Sequence, residues 1–257
     1  MAAVITLTTD LGLTDAYVAA MKGVILGINP EAKLVDICHT IKPQNIAQAA
    51  FVLSQAYPFF PAGTIHVVVV DPGVGTERRA IILRTKSADF VAPDNGVLSY
   101  VTQQSSAWEA VAITKPQLWR PKVSTTFHGR DIFAPVAARL SLGLPPTDFG
   151  SVITSVITLP LSQPSQAADG SIVGHIVHID GFGNLITDIK KDDLPKGKRA
   201  LTIEVSAQLI GGLSHTYAEG KGLLALFGSD GYLEIAVKEG SASAFLAAKV
   251  GDEVIVR

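Results

Sequence analysis

One cysteine, Cys38, serves a chain of 257 residues, which excludes an intrachain disulfide framework and any cysteine-built zinc site. That scarcity fits a reducing compartment, and a cytoplasmic location is expected. Charge is scarce as well. Charged residues make up 17% of the chain, and 21 Lys and Arg against 23 Asp and Glu leave a formal net charge of −2. The basic clusters that neutralise phosphates are missing, so no nucleic-acid partner is expected. No stretch reaches the roughly 20 apolar residues needed to cross a bilayer. The start, Met1-Ala-Ala-Val4, lacks the basic and apolar regions of a secretory leader, and no membrane partner is expected. The 6 histidines show no HxH, HExxH or His-carboxylate spacing, and His175 and His178, three apart on a strand, point to opposite faces. A metal site is not expected. Also absent are a GxGxxG after the first strand, a GxxxxGK[ST] loop and a GxSxG elbow, which argues against dinucleotides, nucleoside triphosphates and serine-elbow hydrolysis.

What is present is apolar sequence, 47% of the chain, ample for a core and with an excess that suggests subunit contacts. Residues 1–160 alternate strand-like and helix-like stretches, the pattern of an α/β domain with a mainly parallel sheet. Thr64–Val70 is the clearest strand, a β-branched run long enough to be buried on both faces. The polar stretch 161–170 reads as a linker. Residues 171–257 read as a small antiparallel, barrel-like β domain of short strands, one of them expected over Ala200–Val205.

Polar residues with chemical potential sit where these strands end. Thr64–Val70 runs into Asp71-Pro72-Gly73, with Arg78 seven residues past the carboxylate. In open α/β sheets ligands bind beyond the carboxyl ends of strands. Val4–Thr9 ends in Asp10, and His128 and Arg130 lie on the segment feeding a helix that Asp131 is expected to cap. Each has a plainer reading. Asp71-Pro72-Gly73 could be a type II turn, an Asp before Gly at a strand end is common, and Asp94-Asn95-Gly96 is mainly a turn signal. His39 reads as structural. Together, Asp71, Arg78 and His128 offer one carboxylate, one permanent cation and one imidazole. Such a set can hold and polarise a water, but it suits a leaving group that needs no strong acid.

Seven motifs then fall in order: Thr9-Asp10-Leu11-Gly12, Met21-Lys22-Gly23-Val24-Ile25, Val35-Asp36-Ile37-Cys38-His39, Asp71-Pro72-Gly73-Val74-Gly75, Ala92-Pro93-Asp94-Asn95-Gly96, Phe127-His128-Gly129-Arg130-Asp131 and Phe182-Gly183-Asn184. In this they resemble the adenosine-forming S-adenosyl-L-methionine hydrolase family (SAM hydroxide adenosyltransferases), relatives of the fluorinase and chlorinase. The resemblance spans essentially the whole chain. It implies a homotrimer with active sites at subunit interfaces, no cofactor, and attack of water on ribose C5′ with methionine leaving. It places the catalytic triad on Asp71, Arg78 and His128. Asp10 matches the carboxylate that grips the ribose hydroxyls, and Asn184 the reader of the adenine edge. Asp180 matches the partner of the methionine ammonium, Ser229 the partner of its carboxylate, and Val237 a backbone contact to adenine. Tyr217 is expected as an aromatic wall or, equally, as a residue of the barrel core. The halogenases carry a neutral group at position 71, so Asp71 favours the hydrolase, and the fluorinase insertion is absent between Leu83 and Ala92. Two residues depart from the pattern: Asp188 stands where Asn is common, and Gln44 where the fluorinase has an aromatic. A SAM-dependent halogenase and a non-catalytic SAM- or adenosine-binding module are the alternative readings.

Overall fold

Every residue of Thr64–Val69 is buried, as a strand covered on both faces requires. In a computed structural model, which describes residues 2–194, 201–220 and 222–257, this strand belongs to the first of two units, Met1–Pro160 and Leu161–Arg257.

The first unit runs β1 (Val4–Thr9), α1 (Tyr17–Ile28), β2 (Lys33–Cys38), α2 (Ile46–Ala56), β3 (Thr64–Val69), β4 (Ala80–Thr85), β5 (Ala88–Pro93), α3 (Ser99–Gln104), β6 (Trp108–Ile113), α4 (Ala134–Ser141) and β7 (Gly150–Ile153). Its strands form one mixed sheet in the order β2-β1-β3-β5-β4-β6-β7. β2, β1, β3 and β5 pair in parallel, whereas β4 runs against β5 and β6, and β7 against β6. Most strands therefore point the same way. Side-chain alternation sorts the layers. Ile65, Val67 and Val69 join a core with Met21 and Ile25 of α1 and Val136 of α4. On the opposite face Val68 and Phe90 meet Leu53 of α2 and Val101 of α3. The start of α2 is fixed locally, because the Asn45 side chain accepts the Gln48 N–H at 2.9 Å, a cap worth about 1 kcal/mol.

The second unit contains β8 (Ser165–Gln166), β9 (Ile172–Ile179), β10 (Leu185–Lys190), β11 (Thr202–Val205), β12 (Gln208–Gly211), β13 (Leu223–Phe227), β14 (Tyr232–Val237), α5 (Ala242–Leu246) and β15 (Glu253–Val256). Among the described residues the order is β12-β11-β15-β9-β10-β14-β13, with β8 also on β9, and every pairing is antiparallel. β12 and β13 approach each other, giving a nearly closed barrel. Ile176, Leu185, Ile203, Leu233, Ile235 and Val254 fill its interior. Ala200, the first residue of one expected strand, lies outside the described residues. Within 161–170, Ser165–Gln166 forms β8, so this stretch adds a strand to the second unit. No helix among the described residues is long and apolar enough to cross a membrane.

Among the polar residues sealed inside the first unit is a histidine. His66 is fully buried, stacked on Phe90 at 5.0 Å, edged by Tyr57 and Phe60, and bonded through Nδ1 to Thr6 Oγ1 at 2.7 Å. Burial pushes its pKa down to about 4 from an ordinary 6.5. The fold thus holds the neutral ring, while the unfolded chain takes up a proton below about pH 6.5. Stability from this site is complete above about pH 6.5 and lost as the pH falls toward 4, by about 2 kcal/mol between pH 7 and pH 5. Denaturant titrations of wild type and His66→Phe at those two pH values should show that difference shrinking in the variant. An unchanged pH dependence would remove His66 from the account.

Candidate functional site

β3 and β1 are parallel neighbours, with Thr9 in register with Val69, so Asp10 and Asp71 emerge just past the same edge of the sheet. After Asp71 the chain turns back, with Val74 N–H donating to Asp71 O at 3.1 Å. The plainer reading of this stretch as a type II turn does not hold, because Gly73 lacks the positive φ that such a turn requires at its third residue. Gly75 carries the positive φ instead, +79°, and a Cβ there would lie 2.5 Å from the carbonyl oxygen of Thr125. The loop bearing Arg78 thus rests against the segment that leads to His128.

The three residues meet. Arg78 Nε donates to both oxygens of Asp71, at 2.9 and 3.0 Å, and Nη2 pairs with Asp71 Oδ2 as well. The same Nη2 lies 2.7 Å from His128 Nδ1. The Asp71 side chain is 4% exposed and that of Arg78 11%, so the pair is well shielded, and the guanidinium also sits 5.3 Å above the Phe133 ring. A guanidinium only donates. His128 Nδ1 must therefore accept, which puts the proton of the neutral ring on Nε2. Burial first, and the Arg78 charge second, hold the imidazole below its usual pKa, in keeping with that neutral form.

His128 does not feed an ordinary helix start. Gly129–Phe133 is a π-helical turn that runs into α4, a feature frequent at functional sites. Asp131 is consequently not the helix cap expected of it. It is fully buried inside that turn, takes Arg130 Nε at 2.7 Å and Arg120 Nη1 at 3.0 Å, and accepts the Ser124 N–H at 2.9 Å. Arg130 is thereby committed to Asp131. The adjacent arginines 78 and 79 diverge in the same way, Arg79 pairing with Asp94 while Asn95 Nδ2 donates to Val70 O at 2.9 Å beside Asp71.

Asp10 accepts the backbone N–H of Gln44 at 2.7 Å, and Gln44 adopts a left-handed φ of 65° to present it. Its neighbour Thr9 binds His39 Nδ1 at 2.8 Å, His39 Nε2 lies 2.9 Å from Asp36, and Lys22 closes the chain on Asp36 at 2.6 Å. His39 ties β1 to β2 below Asp10.

In the second unit, Asp180, Asn184, Tyr217 and Val237 line one cavity of about 570 Å³, together with Phe182, Ala218, Lys238, Glu239 and Gly240. That volume suits a small organic ligand. Asp180 organises its rim: Oδ1 accepts the N–H groups of Phe182 and Asn184 at 2.9 and 2.8 Å, and Oδ2 accepts Asn184 Nδ2 at 3.0 Å. The Asn184 side-chain oxygen Oδ1 then remains to accept from a ligand, the backbone carbonyl being taken by the Asp180 N–H at 3.1 Å. Ser229 is not brought to this cavity. It lies in the exposed turn that precedes β14, while Val237 ends that strand. Asp188 is structural, accepting the Ser162 hydroxyl at 2.5 Å and the His175 N–H at 2.8 Å, where only a glycine at 174 leaves room. Sequence reasoning missed Glu234 beneath Tyr217, although a carboxylate inside the apolar run Tyr232–Val237 was a visible signal. Among the described residues no group of three or more His, Cys, Asp or Glu could hold a metal ion.

Residues 5–150 match the SAM hydroxide adenosyltransferase N-terminal domain and residues 174–255 its C-terminal domain. The chain belongs to the SAM hydroxide adenosyltransferase family. Within it, the chain is 38% identical to a Salinispora arenicola (strain CNS-205) protein named (R)-S-adenosyl-L-methionine hydrolase, over 98% of this chain and 97% of that one. It is 28% identical to a fluorinase of Nocardia brasiliensis, over 99% and 96%. The solved structure of an uncharacterized conserved protein from Thermotoga maritima superposes with a TM-score of 0.91 at 38% identity, covering 98% of this chain and 99% of that one.

Gly75 offers a direct check on how this family member assembles its cluster. Gly75→Ala combines a left-handed φ with a backbone clash, so about 1–3 kcal/mol of stability should be lost. Thermal unfolding measures that cost, and a variant as stable as wild type would show that the two loops do not need this close approach.

Proposed function

We propose that this enzyme hydrolyses S-adenosyl-L-methionine to adenosine and L-methionine by attack of water on ribose C5′. The observation that carries the reading is the Arg78 fork joining Asp71 to His128. With its Nδ1 lone pair committed to Arg78, His128 offers only a donor at Nε2. Asp71 is then the one acceptor in the cluster for a proton of the attacking water. The new bond is O–C5′ and the broken bond is C5′–S. The electron pair leaves with sulfur, which departs as a neutral thioether, and the water proton passes by way of Asp71 to solvent. A sulfonium is already activated, so the reaction needs neither a general acid nor a cofactor, and catalysis rests on holding the water in line.

The cavity of the second unit supports the ligand half of this reading. Asn184 and Val237 would take the adenine edge, and Asp10 the ribose hydroxyls, whose two donors match a carboxylate with open acceptor positions. Asp180, already bonded to the 182–184 turn, keeps an acceptor position for the methionine ammonium. The functional form in this reading is a homotrimer with shared sites, which sedimentation would test. Relatives named for the (R) epimer at sulfur suggest the same preference here. A halogenase is disfavoured because a carboxylate at position 71 repels halide.

The deciding experiment incubates each sulfonium epimer in H₂¹⁸O. Adenosine labelled at the 5′ oxygen is expected, whereas unlabelled adenosine, or a 5′-chloro product in chloride, would overturn water attack. Asp71→Asn should lower kcat by about 10²–10⁴ while affinity stays within about tenfold, roughly 1.4 kcal/mol. Loss of binding in step with loss of rate would make Asp71 a binding group instead.

A further inference from the structure

Glu234 is the only charged residue of β14 and is buried, 7% exposed. Its neighbours Leu233 and Ile235 belong to the barrel core. Alternation therefore turns Glu234 to the outer face, across from Leu226 of β13 and Ile186 of β10. Among the described residues no basic side chain pairs with it. A buried carboxyl in such surroundings is costly unless it is hydrogen-bonded. Its bond is to the cavity wall: the Tyr217 hydroxyl donates to Glu234 Oε1 at 2.6 Å. Burial, with the Glu234 charge beside it, raises the Tyr217 pKa, so the phenol keeps its proton and remains the donor.

Tyr217 needs such an anchor. It opens a short turn, Tyr217–Glu219, and is 48% exposed. The same segment is held further along by Lys238 Nζ on Ala218 O at 3.4 Å, by Glu219 on the His215 N–H at 2.7 Å, and by two long backbone bonds, Glu219 N–H to Thr216 O at 3.3 Å and Gly220 N–H to Tyr217 O at 3.4 Å. A wall residue fixed before the ligand arrives spares the ordering cost that a mobile side chain adds to binding. We propose that Glu234 is a positioning residue that fixes Tyr217 as one wall of the cavity and so sets affinity for the adenosine part of the substrate. The identity of that ligand rests on the function proposed above; the pairing of the two residues does not.

The test measures adenosine affinity by calorimetry, and S-adenosyl-L-methionine turnover, for wild type, Tyr217→Phe, Glu234→Leu, Glu234→Gln and the Tyr217→Phe/Glu234→Leu pair. Each disrupting single variant should weaken adenosine binding by about three- to twelvefold, the worth of one hydrogen bond, and the pair should be no weaker than the worse single. KM should rise in parallel with kcat nearly unchanged. Glu234→Gln, which still accepts from the phenol, should stay near wild type. Wild-type affinity in Glu234→Leu, or multiplying effects in the pair, would overturn the assignment. If Glu234→Leu fails to fold, Tyr217→Phe against Glu234→Gln decides: an unweakened Tyr217→Phe, or a Gln variant as weak as Phe, overturns it. Wild type that binds adenosine without turnover removes the hydrolase reading and leaves these affinities to judge Glu234. Wild type that binds no adenosine overturns the positioning role.

Discussion

A single guanidinium organises the chemistry of the first unit. Arg78 donates to both oxygens of a shielded carboxylate and to one nitrogen of an imidazole, and because it has no acceptor of its own it dictates what its partners must be. Asp71 must be the anion and His128 must be neutral with its proton on Nε2. Breaking a buried pair of this kind by removing one partner costs about 3–5 kcal/mol, since the other charge is left uncompensated. The loop geometry is subordinate to this contact. Gly75 permits the approach to residue 125, the π-helical turn presents His128, and Asp131 occupies Arg130 and Arg120 so that neither competes for Asp71.

The position of the cluster follows from sheet direction. β1 and β3 run parallel and end together, so Asp10 and Asp71 needed only strands read from β-branched runs to be placed at one edge. That much was legible in residues 4–10 and 64–71, because a buried strand announces itself by composition and its end by a carboxylate and Pro-Gly. What the sequence hid is the set of contacts made across long separations. Nothing local in Thr126–Asp131 says that Asp131 will turn inward to two arginines rather than cap a helix, since both uses of an Asp look alike from sequence. The Pro72-Gly73 pair likewise pointed to the wrong turn, because the backbone strain sits two residues later where another loop presses against it.

The second unit was legible as short antiparallel strands, and its site less so. Asp180, Asn184, Tyr217 and Val237 come from three separate stretches, and the barrel register brings them round one cavity. Ser229 does not join them, for β14 carries the chain away from the turn in which it lies. Glu234 was hidden for a different reason. Its strand period was readable, yet the partner that gives it a purpose lies on a turn 17 residues earlier in sequence, beyond the reach of any local pattern.

The charge state of the Asp71–Arg78–His128 cluster bears on the type of reaction it can assist. Carboxylate and guanidinium cancel and the imidazole is neutral, so the cluster as a whole carries no net charge to repel a cationic substrate or to trap it in the ground state. What it offers is directional: one acceptor at Asp71 and one donor at His128 Nε2, held by a fork that does not rotate. For a neutral nucleophile and a leaving group that becomes neutral on departure, little charge has to be stabilised that the substrate did not already carry. In the reaction proposed above, rate would then depend on orientation and on keeping bulk water from solvating the sulfonium, which are the contributions that a rigid, shielded and electrically balanced set of side chains supplies. A chemistry that required a strong acid would find none here, because the two protonated nitrogens of the cluster not bound within it, His128 Nε2 and Arg78 Nη1, belong to a neutral imidazole and to a guanidinium that does not release its proton.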